Sequence, residues 1–360
     1  MSKRQRDPAT KPEAKSGQPP PKRPPTMMDV ARLAGVSTMT VSRALKSDSV
    51  ILDATRQRIL AVCDEIGYIL DERAGALSSN QTGFISALVP SVNNAIFADL
   101  ARGLTDAAAE SGLQILLGYT EYSSEKEEAL IGAMMRRRPE ALMLVTGQHS
   151  ERSRAMLHAA GIPIVEAWDV PRDPIHHIAG FSNALATETL VRRLHDKGYR
   201  EIGFIGGTSY PGSPGTIRRA GYEAAIRELG LPEGRIVGFR QAPTALAMGQ
   251  GAEAIVEMLT RFPGVDAVVC VHDLAAFGVL TECQRRGWDV PGRCAIAGFG
   301  DSEVSRYSHP RITTIKADAY ALGRTAGDLL LDSIRAARQG EVTPARHVTV
   351  PFTIEERESS

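Results

Sequence analysis

From Thr82 onward, short apolar runs alternate with amphipathic helical stretches, and they do so in two series. Phe84–Val89, Leu113–Gly118, Ala141–Val145 and Pro163–Ala167 read as strands of the first series. Helices are predicted between them, from about Asn94 to Ser111, Ser123 to Arg137 and near Ser150 to Ala160. Glu201–Gly206, Arg235–Phe239, Asp266–Cys270 and Ala295–Gly298 read as strands of the second, again separated by helices. Repeated βα units demand parallel sheets covered by helices on both faces. The expected class is therefore α/β, doubly wound, with two lobes. Ligands in such folds bind beyond the carboxyl ends of the strands, and the cleft between lobes is the usual place.

A different pattern precedes this body. Met28–Leu45 reads MDVARLAGVSTMTVSRAL, the layout of a helix-turn-helix. Met28–Ala34 forms the first helix, with Val30, Leu33 and Ala34 on its inner face. Gly35 tolerates the left-handed backbone of a sharp turn. Ser37 caps the second helix. Thr38, Met39 and Thr40 then occupy its N-terminal end, where side chains reach base edges in a major groove. Val41, Ala44 and Leu45 pack inward, while Ser42 and Arg43 point outward, Arg43 being able to read guanine or grip phosphate. The competing reading is a small buried helical hairpin with glycine at its turn.

Charge distribution bears on the DNA reading. The chain is neutral overall, with 42 Lys/Arg and 42 Asp/Glu in 360 residues. Residues 1–80 hold 13 Lys/Arg against 9 Asp/Glu, leaving 29 against 33 for the rest, so the basic surplus sits with the helix-turn-helix. Residues 1–25 are basic and proline-rich, with nothing to bury, and read as a disordered tail. The start is charged and lacks an apolar h-region, so no secretory signal is expected. No apolar run approaches the roughly 20 residues of a membrane span. Cys63, Cys270, Cys283 and Cys294 form no CxxC pair and fit reduced core thiols in a cytoplasmic protein. No metal or other cofactor is expected.

The segment 28–45 resembles the DNA-binding headpiece of the LacI/GalR family of bacterial repressors. Further matches stand in order. Asp53–Tyr68 resembles that family's third helix, with Asp53 as N-cap, Gly67-Tyr68 closing it, and Ile59, Val62, Cys63 and Ile66 on its apolar face. Arg73–Leu77 resembles its hinge helix. The resemblance implies that Ala74 and Leu77 face the minor groove, Leu77 as an apolar wedge that kinks the duplex. The plainer reading makes Leu77 a packed linker leucine. Leu70 stands where proline is usual, and Asp71-Glu72 stand where uncharged residues are common. The implied organisation is a tail at 1–25, a helix-turn-helix domain at 26–70, a hinge at 71–81, and a body at 82–360 with the type I periplasmic-binding-protein-like fold, which binds effector and dimerises.

The same resemblance implies an effector site. Ser91, Asn94 and Phe97 follow the first strand, Trp168 and Asp169 end the fourth, and Asn183 lies at the lobe crossover. Arg218 matches the family's effector-binding arginine and Asp273 its acidic partner. Gly300 stands where the family commonly has Asp, and Ile312–Ile315 resembles the segment that crosses back to the first lobe. Plain readings stand beside these: Asn94 and Asn183 as helix caps, Phe97 as core, Arg218 as a surface cation, and Asp273 as the cap of a helix Leu274–Arg285. Thr38–Arg43, Glu166, Cys283–Gly287 and Val290-Pro291 resemble the gluconate-utilisation branch, which implies a sugar acid held by Arg218 in a bidentate pair.

The resulting expectation is a homodimeric regulator on palindromic operator DNA, released by a sugar acid. Within the family the alternatives are a neutral sugar or purine effector, or a corepressor. A sugar-binding transport component would share the body but has no use for residues 28–77. An enzyme would need a nucleophile–base set or a metal cluster; His272-Asp273 is only an adjacent pair, and His176-His177 reads as a loop doublet.

Overall fold

The computed structural model describes residues 23–45, 51–70, 82–145, 149–207, 213–239 and 247–360. The chain divides into two compact units, Met1–Asn80 and Gln81–Ser360.

Among the described residues of the first unit three helices enclose a small core: α1 (Met27–Ala34), α2 (Thr38–Ala44) and α3 (Asp53–Ile66). Asp29 accepts hydrogen bonds from the Thr26 backbone N–H and hydroxyl (3.0 and 2.7 Å), which satisfies the entry to α1. These bonds hold the Asp29 carboxyl below its usual pKa. Gly35 ends α1 at φ 65°, and the Ser37 hydroxyl caps α2 by accepting from Thr40 N–H at 3.1 Å. Val30, Ala31, Ala34, Val41, Ala44, Ile59 and Cys63 are buried together. The inner face of α1 is thus Val30–Ala31–Ala34. Leu33, expected there, is 50% exposed, because the buried i, i+1, i+4 face of Val30, Ala31 and Ala34 leaves it on the flank of the helix. Asp53 is the first residue of α3, and its side chain does not cap it; Leu52 occupies the cap position. Gly67 (φ 67°) and the bond from Tyr68 N–H to Cys63 O close α3 as expected. The hinge stretch, including Ala74 and Leu77, lies outside the described residues.

Among its described residues the second unit holds two six-stranded sheets. The first has the order β11-β5-β4-β3-β1-β2, all parallel: β1 (Phe84–Val89), β2 (Gln114–Tyr119), β3 (Ala141–Leu144), β4 (Ile164–Trp168), β5 (His177–Gly180) and β11 (His347–Thr349). The second has the order β12-β10-β9-β8-β6-β7: β6 (Ile202–Ile205), β7 (Ile236–Val237), β8 (Ala267–Cys270), β9 (Ala295–Phe299), β10 (Thr313–Ala317) and β12 (Phe352–Glu355). All of its pairings are parallel except β12 on β10. Helices α4 (Ala95–Ala109), α5 (Ser124–Met135), α6 (Glu151–Ala159) and α12 (Ala319–Arg338) belong with the first sheet. Helices α7 (Asn183–Asp196), α8 (Pro214–Glu228), α9 (Ala247–Arg261), α10 (Asp273–Arg285) and α11 (Glu303–Tyr307) belong with the second.

Three features depart from the sequence reading. His177 opens the buried strand β5 and is not in a loop. Its Nε2–H donates to Ser333 Oγ at 2.8 Å and its Nδ1 accepts from Arg346 N–H at 3.1 Å. The Ser333 hydroxyl in turn donates to Leu329 O at 2.9 Å, so its proton serves the helix and the pair is structural. Second, Ile312–Ile315 does not cross lobes. Thr313–Ala317 is an interior strand of the second sheet, and the chain passes over only after Ala317, where Asp318 caps α12. Third, residues 347–355 add one strand to each sheet, so the chain changes lobe near residues 181–182, at 318 and at 350–351.

Candidate functional site

On the first unit, the start of α2 is presented outward. Thr38, Met39 and Arg43 are exposed, Met39 at 63%, while Thr40 and Ser42 are partly covered. The buried Val41 and Ala44 fix the rotation of the helix, so these five side chains share the surface opposite the core.

In the second unit a cavity of about 380 Å³ opens beyond the carboxyl ends of both sheets. Ser91, Asn94 and Phe97 after β1, Tyr122 after β2 and Trp168 at the end of β4 form its first-lobe wall. Ser213, Arg218, Phe239, Val271 and His272 contribute from the second lobe. The Asn94 side chain accepts from Ile96 N–H at 3.2 Å and caps α4 while lining the cavity, so cap and wall are one residue. Phe97 is buried and meets Trp168 edge to face, with ring centroids 5.7 Å apart. Trp168 has φ 85°, and its buried Nε1–H has no hydrogen-bond partner among the described residues.

Arg218 lies one turn into α8, which Ser213 caps by accepting from Thr216 N–H at 3.2 Å. Gly221, on the same helical face, lets α8 close on α7: a Cβ there would stand 2.1 Å from Ala184 O. That approach brings Arg218 Nε to Asn183 Oδ1 at 2.8 Å, while Nη1 donates to Val271 O at 2.7 Å. The guanidinium lies 3.5 Å over the Phe299 ring. Burial lowers its pKa to about 10, which leaves it charged at neutral pH. Nη2 has no partner among the described residues. Arg218 is thus a buried, aimed cation, not a surface one.

Asn183 is fully buried, and it bridges rather than caps. Its Nδ2 donates to Trp168 O and its backbone N–H to Asp169 Oδ1, both at 3.3 Å, while Ser182 caps α7. Asp273 is buried at the first position of α10, and its neighbour His272 provides the cap by accepting from Ala275 N–H. The Asp273 carboxylate accepts from Thr314 Oγ1 (2.6 Å), Ser302 N–H (2.6 Å) and Ser302 Oγ (3.0 Å). It pins the loop after β9 and is not among the cavity-lining residues; Asp169 and Asn183 are not either. Burial raises the pKa of both Asp169 and Asp273. Gly300, at φ 129°, packs against Ile96 and Asp273, where a Cβ would stand 2.4 Å from Ile96 Cδ1.

Tyr122, His272, Ser213 and Phe239 were not legible as wall residues. The one signal they share is position just past a strand or at a helix start, which marks many residues that bind nothing. Burial and the Arg218 charge lower the His272 pKa to about 4, so this ring is neutral.

A second buried charged cluster lies under α5. His149 Nδ1 meets Glu127 Oε1 at 2.8 Å and its Nε2 meets Glu166 Oε1 at 3.2 Å. Burial pushes the His149 pKa down, but the two carboxylates outweigh it and hold the ring up at about 9. The three groups sit in a line with the ring between the carboxylates. Among the described residues no group of His, Cys, Asp or Glu could hold a metal ion, and no helix is long and apolar enough to cross a membrane.

A helix-turn-helix unit joined in one chain to a two-lobed body with a charged, aromatic-walled cleft defines a class: DNA-binding regulators that answer to a small molecule. The comparisons agree. Residues 26–71 match the model for bacterial regulatory proteins of the lacI family, and residues 191–360 match that for the periplasmic binding protein-like domain. The chain is similar to the HTH-type transcriptional regulator GntR of Escherichia coli strain K12, at 30% identity over 333 residues, 92% of this chain and 98% of that one. A solved lacI-family transcriptional regulator from Silicibacter pomeroyi superposes with TM-score 0.85 at 30% identity, covering 93% and 99% of the two chains. The lac repressor dimer, solved on its operator with the anti-inducer ONPF, shares the fold at 23% identity and TM-score 0.78, covering 94% and 99%. The chain belongs to the lacI family and is a DNA-binding transcriptional regulator.

Proposed function

We propose that this regulator is a homodimeric repressor that leaves its operator when it binds a small sugar acid such as gluconate. Charge carries the effector reading: among the described cavity-lining residues Arg218 is the only charged side chain. Asp169 and Asp273 act on the guanidinium from behind the wall, but no carboxylate shares the described lining, so an anionic ligand meets a cation there and its planar fork suits a carboxylate. Phe97 and Trp168 offer apolar faces to C–H groups, while Ser91 and Asn94 offer hydroxyl partners. Similarity to GntR supports the same reading.

The remaining assignments follow the same order. Residues 26–70 are the DNA-reading unit, 71–81 the hinge and 82–360 the effector-binding and dimerising body. Thr38, Met39, Thr40, Ser42 and Arg43 read or grip a major-groove half-site, and Ala74 and Leu77 serve the minor groove. Asn183, Asp169 and Asp273 act from behind the wall, Asn183 by orienting Arg218. The lac repressor dimer on its operator supports two half-sites related by a two-fold axis. Release requires that the acid bind the DNA-free state more tightly than the bound one.

The test is calorimetry with gluconate, glucose, ribose and 6-phosphogluconate, followed by operator binding with and without the tightest ligand. Saturable gluconate binding that lowers operator affinity supports the proposal. Affinity for a neutral sugar with none for gluconate overturns the effector assignment.

A further inference from the structure

The first-lobe wall contains a residue that neither the sequence nor the family match singled out. Tyr122 lies in the loop after β2 and lines the cavity. It and Glu121 are consecutive non-glycine residues with left-handed backbone, φ 58° and 52°. Such a pair persists only where its surroundings over-determine it. Here Thr120 N–H donates to Val89 O at 2.9 Å, Glu121 N–H to Pro90 O at 3.0 Å and Ser123 N–H to Thr120 O at 2.9 Å. The Glu121 carboxylate is paired with Lys126. Everything around Tyr122 is tied down, while its own hydroxyl has no hydrogen-bond partner among the described residues.

Trp168 repeats the arrangement. It is the other cavity-lining non-glycine residue with positive φ, and its Nε1–H is likewise without a partner among the described residues. Two strained segments of one lobe therefore shape the cavity wall, with the Trp168 Nε1–H sealed behind it. Across the cavity stands Arg218, with Nη2 unused. The Tyr122 phenol is pushed up to about 12 by burial, against the opposing pull of Arg218, so it keeps its proton and donates.

We propose that Tyr122 is the first-lobe half of a carboxylate clamp whose second-lobe half is Arg218. The inference rests on the sugar-acid reading and extends it. The ligand's negative charge, shared between donors on both lobes, is what draws the lobes together, and Tyr122 sets the preference for acids over neutral sugars. A hydroxyl donating to a carboxylate is a charge-assisted bond, stronger than the same hydroxyl donating to a neutral oxygen.

The experiment is calorimetric titration of the full chain and of Tyr122→Phe with gluconate, glucuronate and glucose, beside melting curves that establish folding. Tyr122→Phe keeps the ring and removes only the donor. The expected result is a loss of about tenfold or more in affinity for acids, with glucose affinity unchanged, and a smaller loss from the same substitution when Arg218 is already Lys. Unchanged acid affinity in a folded Tyr122→Phe protein overturns the clamp and leaves the sugar-acid reading standing. An equal loss for acids and glucose also overturns it, because the hydroxyl would then serve shape and not charge. A wild-type chain that binds neither acid overturns both.

Discussion

At the scale of single residues, Arg218 combines features that are separately ordinary: burial, a ring beneath it and two of its nitrogens engaged by the protein. Their sum is a cation that cannot turn away from the cleft. Arg218→Lys should lower gluconate affinity by one to two orders of magnitude and also lower the melting temperature, since an ammonium offers no planar fork and loses the paired bonds to Asn183 and Val271 and the stack on Phe299; titration beside a thermal melt checks both halves. The behaviour of His149 is the reverse. His149→Gln leaves Glu127 and Glu166 buried around a neutral group and should cost about 3–5 kcal/mol, the usual penalty for removing one partner of a buried pair, measured by denaturant unfolding. Arg218 was legible in the sequence because it follows a Gly/Pro/Ser loop in a chain with a recognisable family pattern. Tyr122 was not, because nothing in its neighbours announces a left-handed backbone. Asp273 was legible as important, but its role differs from the one expected. It stands next to the cap, and its carboxylate is spent on Ser302 and Thr314.

At the scale of elements, glycines set how closely helices approach. Besides Gly221 against Ala184, Gly103 and Gly323 join α4 to α12, with a Cβ at Gly323 2.0 Å from Leu100 O, and Gly251 and Gly278 join α9 to α10, with a Cβ at Gly278 1.9 Å from Met248 O. A methyl group at any of these sites must part the helices. Gly221→Ala is the informative one: the protein should fold with lowered stability and lose effector affinity, because Arg218 moves off Asn183. Retained affinity in that variant would show that the helix contact does not position the guanidinium. In the first unit, Ser37→Ala removes the α2 cap and should cost about 1 kcal/mol, read as a lower melting temperature and weaker DNA binding at fixed salt. Long periodic elements were legible because burial of one face imposes its period on the sequence. The strands β5, β10, β11 and β12 were not: β10 carries Thr313, Thr314 and Lys316, and the others are three or four residues each and carry His177, His347 and Glu355 where an apolar run would have marked them.

At the scale of the whole molecule, three histidines bound the pH range of stability from opposite sides. His149 is raised to about 9, so its contribution is complete below its ordinary value of 6.5 and is lost as pH rises through 9. His177 and His272 are lowered to about 4, so theirs is complete above 6.5 and is lost as pH falls towards 4. Melting temperature should therefore peak near pH 6.5 and fall on both sides. His149→Gln should flatten the alkaline limb alone, and a limb that survives this substitution would belong to another group.

The triple crossing between lobes also governs how the body can come into being. Each sheet takes a strand from residues 347–355, so neither lobe has its full hydrogen-bonded ladder until that stretch is in place. A ribosome making this chain emits the helices of the first unit before the body, and each sheet stays one strand short until residues 347–355 have emerged. Both lobes are then completed together. A product that stops before residue 347 therefore lacks an edge strand in both lobes at once.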